Sequence, residues 1–95
     1  MIIADLKEYF ENTENPKFYL TDVFSWRGRY DEVAFIPSKN GSKDESLKMT
    51  DRALSEIFDG WSGGEYAYDE DTEVHFETEE RGCSDMALYD LLLKD

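Results

Sequence analysis

Apolar side chains recur with helical spacing at the start of the chain, over residues 2–13. They fall at i, i+1, i+4, i+7 and i+8, which places them on one stripe of a helix. The residues on this stripe are Ile2, Ile3, Leu6, Tyr9 and Phe10. Asp5, Glu8 and Glu11 lie off the stripe, so we expect them to face water. Pro16 should end the helix, because the residue before a proline avoids helical geometry.

Two segments with the composition of β-strands follow this helix. Residues 17–25 are rich in aromatic and β-branched side chains, and residues 30–36 repeat that composition until Pro37 ends the segment. Residues 26–29 lie between them, contain a glycine and supply a turn. The two segments therefore predict an antiparallel hairpin.

A second helix is predicted in the middle of the chain, after a segment with loop composition at residues 37–46. Thr50 is the predicted N-cap, because a threonine hydroxyl can accept a hydrogen bond from the first helical turn. Gly60 is the predicted C-cap. The apolar residues that should form the buried stripe between these caps are Ala53, Leu54, Ile57 and Phe58.

The last third of the chain combines short strands with a final helix. Residues 61–64 have loop composition, residues 65–68 predict a short strand, and residues 69–72 predict a turn. Near the end, Ser84 should cap a helix over residues 85–94.

Residues 73–78 alternate between polar and apolar side chains, which predicts a strand with one buried face. Val74 and Phe76 should face inward. The residues expected to face water are Glu73, His75 and Glu77. With 95 residues the chain can form one core, so these elements predict an α+β fold in a single domain. We expect an antiparallel sheet of three to four strands packed with two to three helices.

The charge is strongly unbalanced. The chain has 23 Asp+Glu against 10 Lys+Arg, which gives a formal net charge of −13. Aromatic residues make up 15% of the chain, so the acidity belongs to a folded domain and not to a disordered tail. No lysine or arginine occurs from residue 53 to residue 80. The carboxylates in that interval are Glu56, Asp59, Glu65, Asp69, Glu70, Asp71, Glu73, Glu77, Glu79 and Glu80.

Composition excludes several classes of protein. A single cysteine allows no internal disulfide, the start of the chain does not resemble a secretory signal, and the longest apolar run, at residues 91–93, is far shorter than a membrane span. We therefore expect a soluble cytoplasmic protein. Direct binding to nucleic acid or to anionic lipid is not expected, because both would repel the acidic surface.

Catalytic chemistry is not predicted. His75 and Cys83 could in principle supply a base and a nucleophile, but no third group orients them and no oxyanion loop is evident. No phosphate-binding loop is present either, since the glycines after Gly60 precede no Lys-Ser/Thr pair. We predict a protein without enzymatic activity and without a cofactor.

A calcium loop is an alternative interpretation of one acidic segment. Asp69, Asp71 and Glu73 occupy alternate positions, and Glu80 falls at the twelfth position counted from Asp69. The sixth position of such a loop requires glycine, and here it is Val74. We therefore assign no metal ligands.

The charge distribution itself suggests a mechanism. Six of the ten cations lie between Arg27 and Arg52, which indicates that positive and negative residues are segregated. Duplex DNA carries one negative charge per about 1.7 Å. A domain of this size is roughly 35–40 Å long, so its carboxylates could reach a similar density. The alternatives are an acidic face that only maintains solubility, and an inhibitor or adaptor that recognises shape through an apolar patch at Trp26 or Trp61.

Three segments resemble the anti-restriction nuclease proteins (Arn) of T-even bacteriophages. They are residues 1–13 (MIIADLKEYFENT), 26–32 (WRGRYDE) and 69–73 (DEDTE). The resemblance implies a dimeric DNA mimic in the host bacterial cytoplasm that inhibits a restriction enzyme of the McrBC type. It also implies competition with DNA for a histone-like nucleoid protein. No catalytic residues follow from it.

The carboxylates that we expect to stand in for phosphates come from the first helix and from the cation-free interval. They are Asp5, Glu8, Glu11, Glu56, Asp59, Glu65, Asp69, Glu70, Asp71, Glu73, Glu77, Glu79 and Glu80.

Overall fold

The computed structural model describes residues 1–25, 32–59 and 64–77. This part of the chain contains two helices and five strands. In chain order they are α1 (Ile3–Asn12), β1 (Tyr19–Ser25), β2 (Glu32–Ser38), α2 (Lys43–Ser55), β3 (Ile57–Asp59), β4 (Glu65–Ala67) and β5 (Glu73–Phe76). The α+β class is confirmed, and α1, β1, β4 and β5 lie where the sequence predicts them.

The main sheet has the strand order β1-β2-β5 and is mixed. β1 and β2 are antiparallel, with Val23 opposite Phe35, which confirms the predicted pairing of the two segments. β2 and β5 are parallel, with Phe35 opposite Phe76, so the prediction of a wholly antiparallel sheet is wrong. A parallel pair needs a long crossover connection, and the segment that contains α2, β3 and β4 provides it.

β2 continues past its predicted end. Pro37 pairs with Leu20 instead of terminating the strand, and the register shifts between Leu20 and Asp22. Proline lacks the N–H group that a regular ladder requires, and it is tolerated at such irregularities. β2 is buried from Val33 to Pro37, because it is the central strand and both of its faces are covered.

α2 begins earlier and ends earlier than predicted. Its N-cap is Ser42, whose hydroxyl accepts a hydrogen bond from the Glu45 backbone N–H at 3.1 Å. Thr50, the predicted cap, lies inside the helix and is buried, and its hydroxyl donates to the Leu47 carbonyl at 2.8 Å. The helix stops at Ser55, so the predicted helical stripe does not extend to Ile57, which instead begins β3.

β3 and β4 form a separate two-stranded antiparallel sheet, in which Ile57 lies opposite Ala67 and Asp59 lies opposite Glu65. The Ser25 hydroxyl donates to the Asp59 carbonyl at 3.0 Å, which connects β3 to the end of β1. This small sheet is therefore anchored to the main sheet.

Aromatic side chains dominate the core between α1 and the main sheet. Phe18 is central: its ring stacks on Tyr9 at a centroid distance of 5.4 Å, and it makes edge contacts with Phe10 at 5.5 Å and Phe76 at 5.8 Å. Ile3 and Leu6, from the predicted stripe of α1, are fully buried beside them, together with Phe10. The predicted stripe of the first helix is thus confirmed at these positions.

Several predictions fall outside the described residues. They concern the turn at residues 26–29, the start of the second strand at residues 30–31, the Gly60 C-cap with the loop at residues 61–63, and the final helix capped by Ser84.

Candidate anionic surface

The exposed face of α1 carries three of the predicted carboxylates. Asp5, Glu8 and Glu11 are all exposed, as the helical pattern predicts. Asp5 also has a structural role, because its carboxylate accepts a hydrogen bond from the Ile2 backbone N–H at 3.3 Å. Asp5 and Glu8, with Tyr9 and Asn12, line an open depression of about 280 Å³.

Residues 69–72, the acidic turn, form a second group. The Thr72 N–H donates to the Asp69 carbonyl at 3.1 Å, which closes the predicted turn. The Asp69 carboxylate accepts from the Asp71 N–H at 3.0 Å and from the Thr72 hydroxyl at 3.3 Å. Asp69 is thus engaged in holding the turn, whereas Glu70 and Asp71 are exposed beside it.

The structure brings α1 and the acidic turn together. At the start of α1, the Ile3 N–H donates to the Thr72 carbonyl at 3.0 Å, and the Ala4 N–H donates to the Glu70 carbonyl at 3.1 Å. These are N–H groups that a helix cannot satisfy internally. The Met1 ammonium group lies 3.3 Å from the Glu73 carboxylate. The positive end of the helix dipole therefore lies at the acidic turn, which lowers the repulsion among the carboxylates there.

A third group lies on β3 and β4. Asp59 and Glu65 are directly opposite each other across the two strands, and both are exposed. Two like charges in this arrangement destabilise a sheet. Glu56 immediately precedes β3, and its carboxylate accepts a hydrogen bond from the Arg52 guanidinium at 2.8 Å, so this predicted site residue is paired.

Glu77 does not belong to the surface. It is fully buried, so the prediction that it faces water is wrong. One carboxylate oxygen lies 2.9 Å from Nε2 of His75, and the other has no hydrogen-bond partner within the described ranges. His75 is also largely buried, with 17% of its side chain exposed. The alternation of polar and apolar residues predicts one face in contact with water, but a strand paired in parallel is commonly covered on both faces.

Lys7, Lys48 and Arg52 form ion pairs, and of their partners only Glu56 belongs to the predicted set. Lys48 lies 3.4 Å from the Glu45 carboxylate, and Lys7 lies 3.4 Å from the Asp51 carboxylate. Apart from its contact with Glu56, Arg52 approaches Asp22 at 3.9 Å. Within the described part of the chain, no lysine or arginine forms an ion pair with the carboxylates that stand on α1 and the acidic turn. These carboxylates of α1 and the acidic turn are Asp5, Glu8, Glu11, Asp69, Glu70 and Asp71.

The two ends of the main sheet differ in charge. Glu32 pairs with Glu73, so the acidic turn lies at the end where β2 and β5 begin. Tyr19 pairs with Ser38, so the start of β1 and the end of β2 lie at the opposite end. The lysines near that opposite end are Lys17, Lys39 and Lys43, and the acids near it are Glu14, Asp44 and Glu45. The described residues are therefore acidic at one end and mixed at the other, while Arg27 and Arg29, in the connection between β1 and β2, lie outside the described residues.

Some of the predicted site residues, and some of the residues considered for other kinds of site, lie outside the described part of the chain. Glu79, Glu80 and Cys83 lie outside the described residues, as do the aromatic residues Trp26 and Trp61. Among the residues that the structure does describe, no three His, Cys, Asp or Glu side chains converge in a way that could hold a metal ion. Neither α1 nor α2 has the length and apolar character of a membrane-spanning helix.

Comparison of the chain with known protein families, with curated proteins and with solved structures finds no match.

Proposed function

We propose that this protein is a DNA mimic, which occupies the DNA-binding surface of a host protein and so excludes DNA from it. The first candidate target is a restriction enzyme of the McrBC type, and the second is a histone-like nucleoid protein. Both come from the resemblance to the phage anti-restriction proteins. The protein would act in the host cytoplasm without binding nucleic acid itself.

One observation carries the proposal: α1 begins at the acidic turn, so that Asp5 and Glu70, far apart in the sequence, belong to neighbouring segments. Lys7, the lysine on α1, forms its ion pair with Asp51 and not with these carboxylates. The molecule measures 37 × 25 × 19 Å, and its longest dimension equals the length of roughly 11 base pairs of duplex DNA at about 3.4 Å each. A homodimer, which the resemblance also implies, would extend this length.

The mechanism is electrostatic. A DNA-binding surface holds lysine and arginine side chains for phosphate groups and is surrounded by counter-anions when it is free. Carboxylates at a spacing comparable to that of phosphates would displace those anions and gain the same free energy as DNA does. Because the gain comes from ion release, affinity for the target should fall as the salt concentration rises.

The test is competition with duplex DNA for a purified McrBC-type enzyme at low salt, followed by neutralisation of three exposed carboxylates. The test variant is Glu8→Gln, Glu70→Gln and Asp71→Asn. The matched control is Glu14→Gln, Asp44→Asn and Glu45→Gln, from the mixed end. Each variant has three fewer negative charges, so the net charge changes from −13 to −10 in both.

We expect the test variant to displace DNA about tenfold less well than the parent protein, on the order of 0.5 kcal/mol for each charge. The control should lose much less, because its charges lie away from the proposed contact. Equal losses in the two variants would mean that only net charge matters. If the parent protein fails to displace DNA at low salt, or if the test variant displaces it equally well, the proposal is wrong.

A further inference from the structure

The outer face of the β3–β4 sheet exposes an apolar side chain among carboxylates. Ile57 is 68% exposed, the highest value among the large apolar residues of the described chain, and its cross-strand partner Ala67 is exposed as well. Phe58, between the two outward positions of β3, points to the other side and packs against Tyr68 at a ring distance of 5.5 Å. Ile57 is therefore turned to solvent by the alternation of the strand, while its neighbour anchors β3 to the core.

The same face carries two negative charges. Side chains two positions apart share a face of a strand, so Asp59 lies on the face of Ile57, and Glu65 lies on the face of Ala67. The result is a surface with an apolar half and an anionic half. We call this surface, formed by Ile57, Asp59, Glu65 and Ala67, the outer face.

Both features of the outer face are unfavourable in the isolated domain. Opposed carboxylates repel each other, and an exposed isoleucine orders water without gaining contacts. The face is nevertheless fixed in position, since the Ser25 hydroxyl bonds the Asp59 carbonyl and Phe58 is packed beneath it. Protein interfaces commonly combine an apolar centre with a polar rim, and Ile57 with Asp59 and Glu65 has this composition.

We propose that the outer face binds the DNA-binding surface of the target protein, with Ile57 in contact with an apolar side chain that lies beside the target's lysine and arginine residues. This inference rests on the proposed function and specifies its partner further. Proteins that read DNA combine cationic groups for phosphates with apolar side chains for the thymine methyl group. Ile57 would occupy the position of such a methyl group, and the carboxylates of Asp59 and Glu65 would occupy those of flanking phosphates.

An apolar contact would also make part of the affinity of the complex independent of salt. Salt screens the attraction between carboxylates and a cationic surface, whereas burial of an isoleucine side chain is little affected by moderate salt. The outer face would therefore retain part of the affinity at salt concentrations where a purely anionic surface releases its target.

The experiment measures the affinity of Ile57→Thr for the same McrBC-type enzyme at low and at high salt. Threonine keeps β-branching and strand propensity but replaces the ethyl branch of isoleucine by a hydroxyl. The matched control is Ile57→Val, which keeps an apolar side chain. Asp59→Asn with Glu65→Gln provides the complementary change in charge. Thermal midpoints no lower than about that of the parent will show that the variants are folded; the double amide variant, which removes a repulsion, should have a slightly higher one.

We expect Ile57→Thr to weaken binding about fivefold at both salt concentrations. The affinity of Ile57→Val should stay within about twofold of that of the parent. The double amide variant should lose more at low salt and reduce the salt dependence. If Ile57→Thr binds as the parent does while the parent displaces DNA, the outer face is not a contact and the DNA-mimic proposal stands. If the parent displaces no DNA, both proposals are overturned.

Discussion

At the residue scale, the environment of a side chain decides its role more than its chemical type does. Glu73 begins β5 and Glu77 directly follows it, and the sequence pattern predicts that both face water. Glu73 is exposed beside the Met1 ammonium group, whereas Glu77 is fully buried beside His75. The difference depends on which parts of the chain cover each end of β5. The periodic pattern of polar and apolar residues carries no information about that. Glu77 is therefore excluded from the surface that we propose contacts the target.

The buried pair leads to a prediction on stability. Replacement of His75 by alanine removes the partner of the Glu77 carboxylate, and an unsatisfied buried polar group is costly. We expect His75→Ala to lower the free energy of unfolding by about 2 kcal/mol in urea denaturation. His75→Gln, which can place a donor near the position of Nε2, should recover part of this loss.

The control on the same strand is Glu73→Gln, because this residue is exposed and its ion pair with the amino terminus is solvated. A change below about 0.5 kcal/mol is expected for it. An equally small change for His75→Ala would show that the pair does not stabilise the fold.

At the scale of elements, the hydrophobic pattern predicts an element correctly where one face of that element packs on the core. It does not predict the direction of a strand, because that direction depends on the connection that leads to the strand. The stripe of α1 predicted its position to within one residue at each end, since Ile3, Leu6 and Phe10 all pack on the same core. The direction of β5 was not predictable, because the crossover that makes it parallel to β2 is visible only when α2 and the small sheet are placed.

The start of α2 could have been found from the sequence. Ser42 followed by Glu45 three residues later is the usual mark of a helix start, but the surrounding Ser, Lys, Asn and Gly residues resemble a loop. The end of α2 carried no such mark, since Ile57 and Phe58 continue the helical spacing. Pairing of β3 with β4 overrides that spacing.

The N-cap of α2 gives a prediction for this element. Ser42→Ala removes the acceptor of the Glu45 N–H and should lower the free energy of unfolding by about 1 kcal/mol. Ser42→Asp keeps an oxygen acceptor at the cap and should be close to the parent protein. Thermal and urea denaturation, followed by far-UV circular dichroism, measure both. A Ser42→Ala variant as stable as the parent would contradict this assignment of the helix start.

At the scale of the whole molecule, the sequence shows that the protein is acidic, but it does not show how the acidic residues are arranged in space. The start of α1 and the acidic turn are separated by most of the chain, and the hydrogen bonds of Ile3 and Ala4 show that the two segments are neighbours. The predicted segregation of charge stays a prediction, because Arg27, Arg29, Arg81 and Lys94 lie outside the described residues. Among the described residues it is incomplete at the mixed end, where Asp44 and Glu45 accompany the lysines.

The net charge of −13 predicts a marked dependence of stability on salt. Between about 0.01 M and 1 M salt, the Debye length falls from about 30 Å to about 3 Å, which removes most of the repulsion among surface carboxylates. We expect the midpoint of thermal unfolding to rise by several degrees over this range. The variant with Glu8, Glu70 and Asp71 changed to amides should show a smaller rise, and a midpoint that falls with salt would contradict the expectation.

The parallel pairing of β2 with β5 also bears on the order in which the molecule assembles. The β1–β2 hairpin closes a short loop and can form early, whereas β5 can join only after the intervening helix and small sheet have brought it back. That intervening segment includes the acidic turn, so we expect the late step in which β5 pairs with β2 to bring like charges together. Counter-ions should therefore accelerate folding itself, in addition to stabilising the folded state.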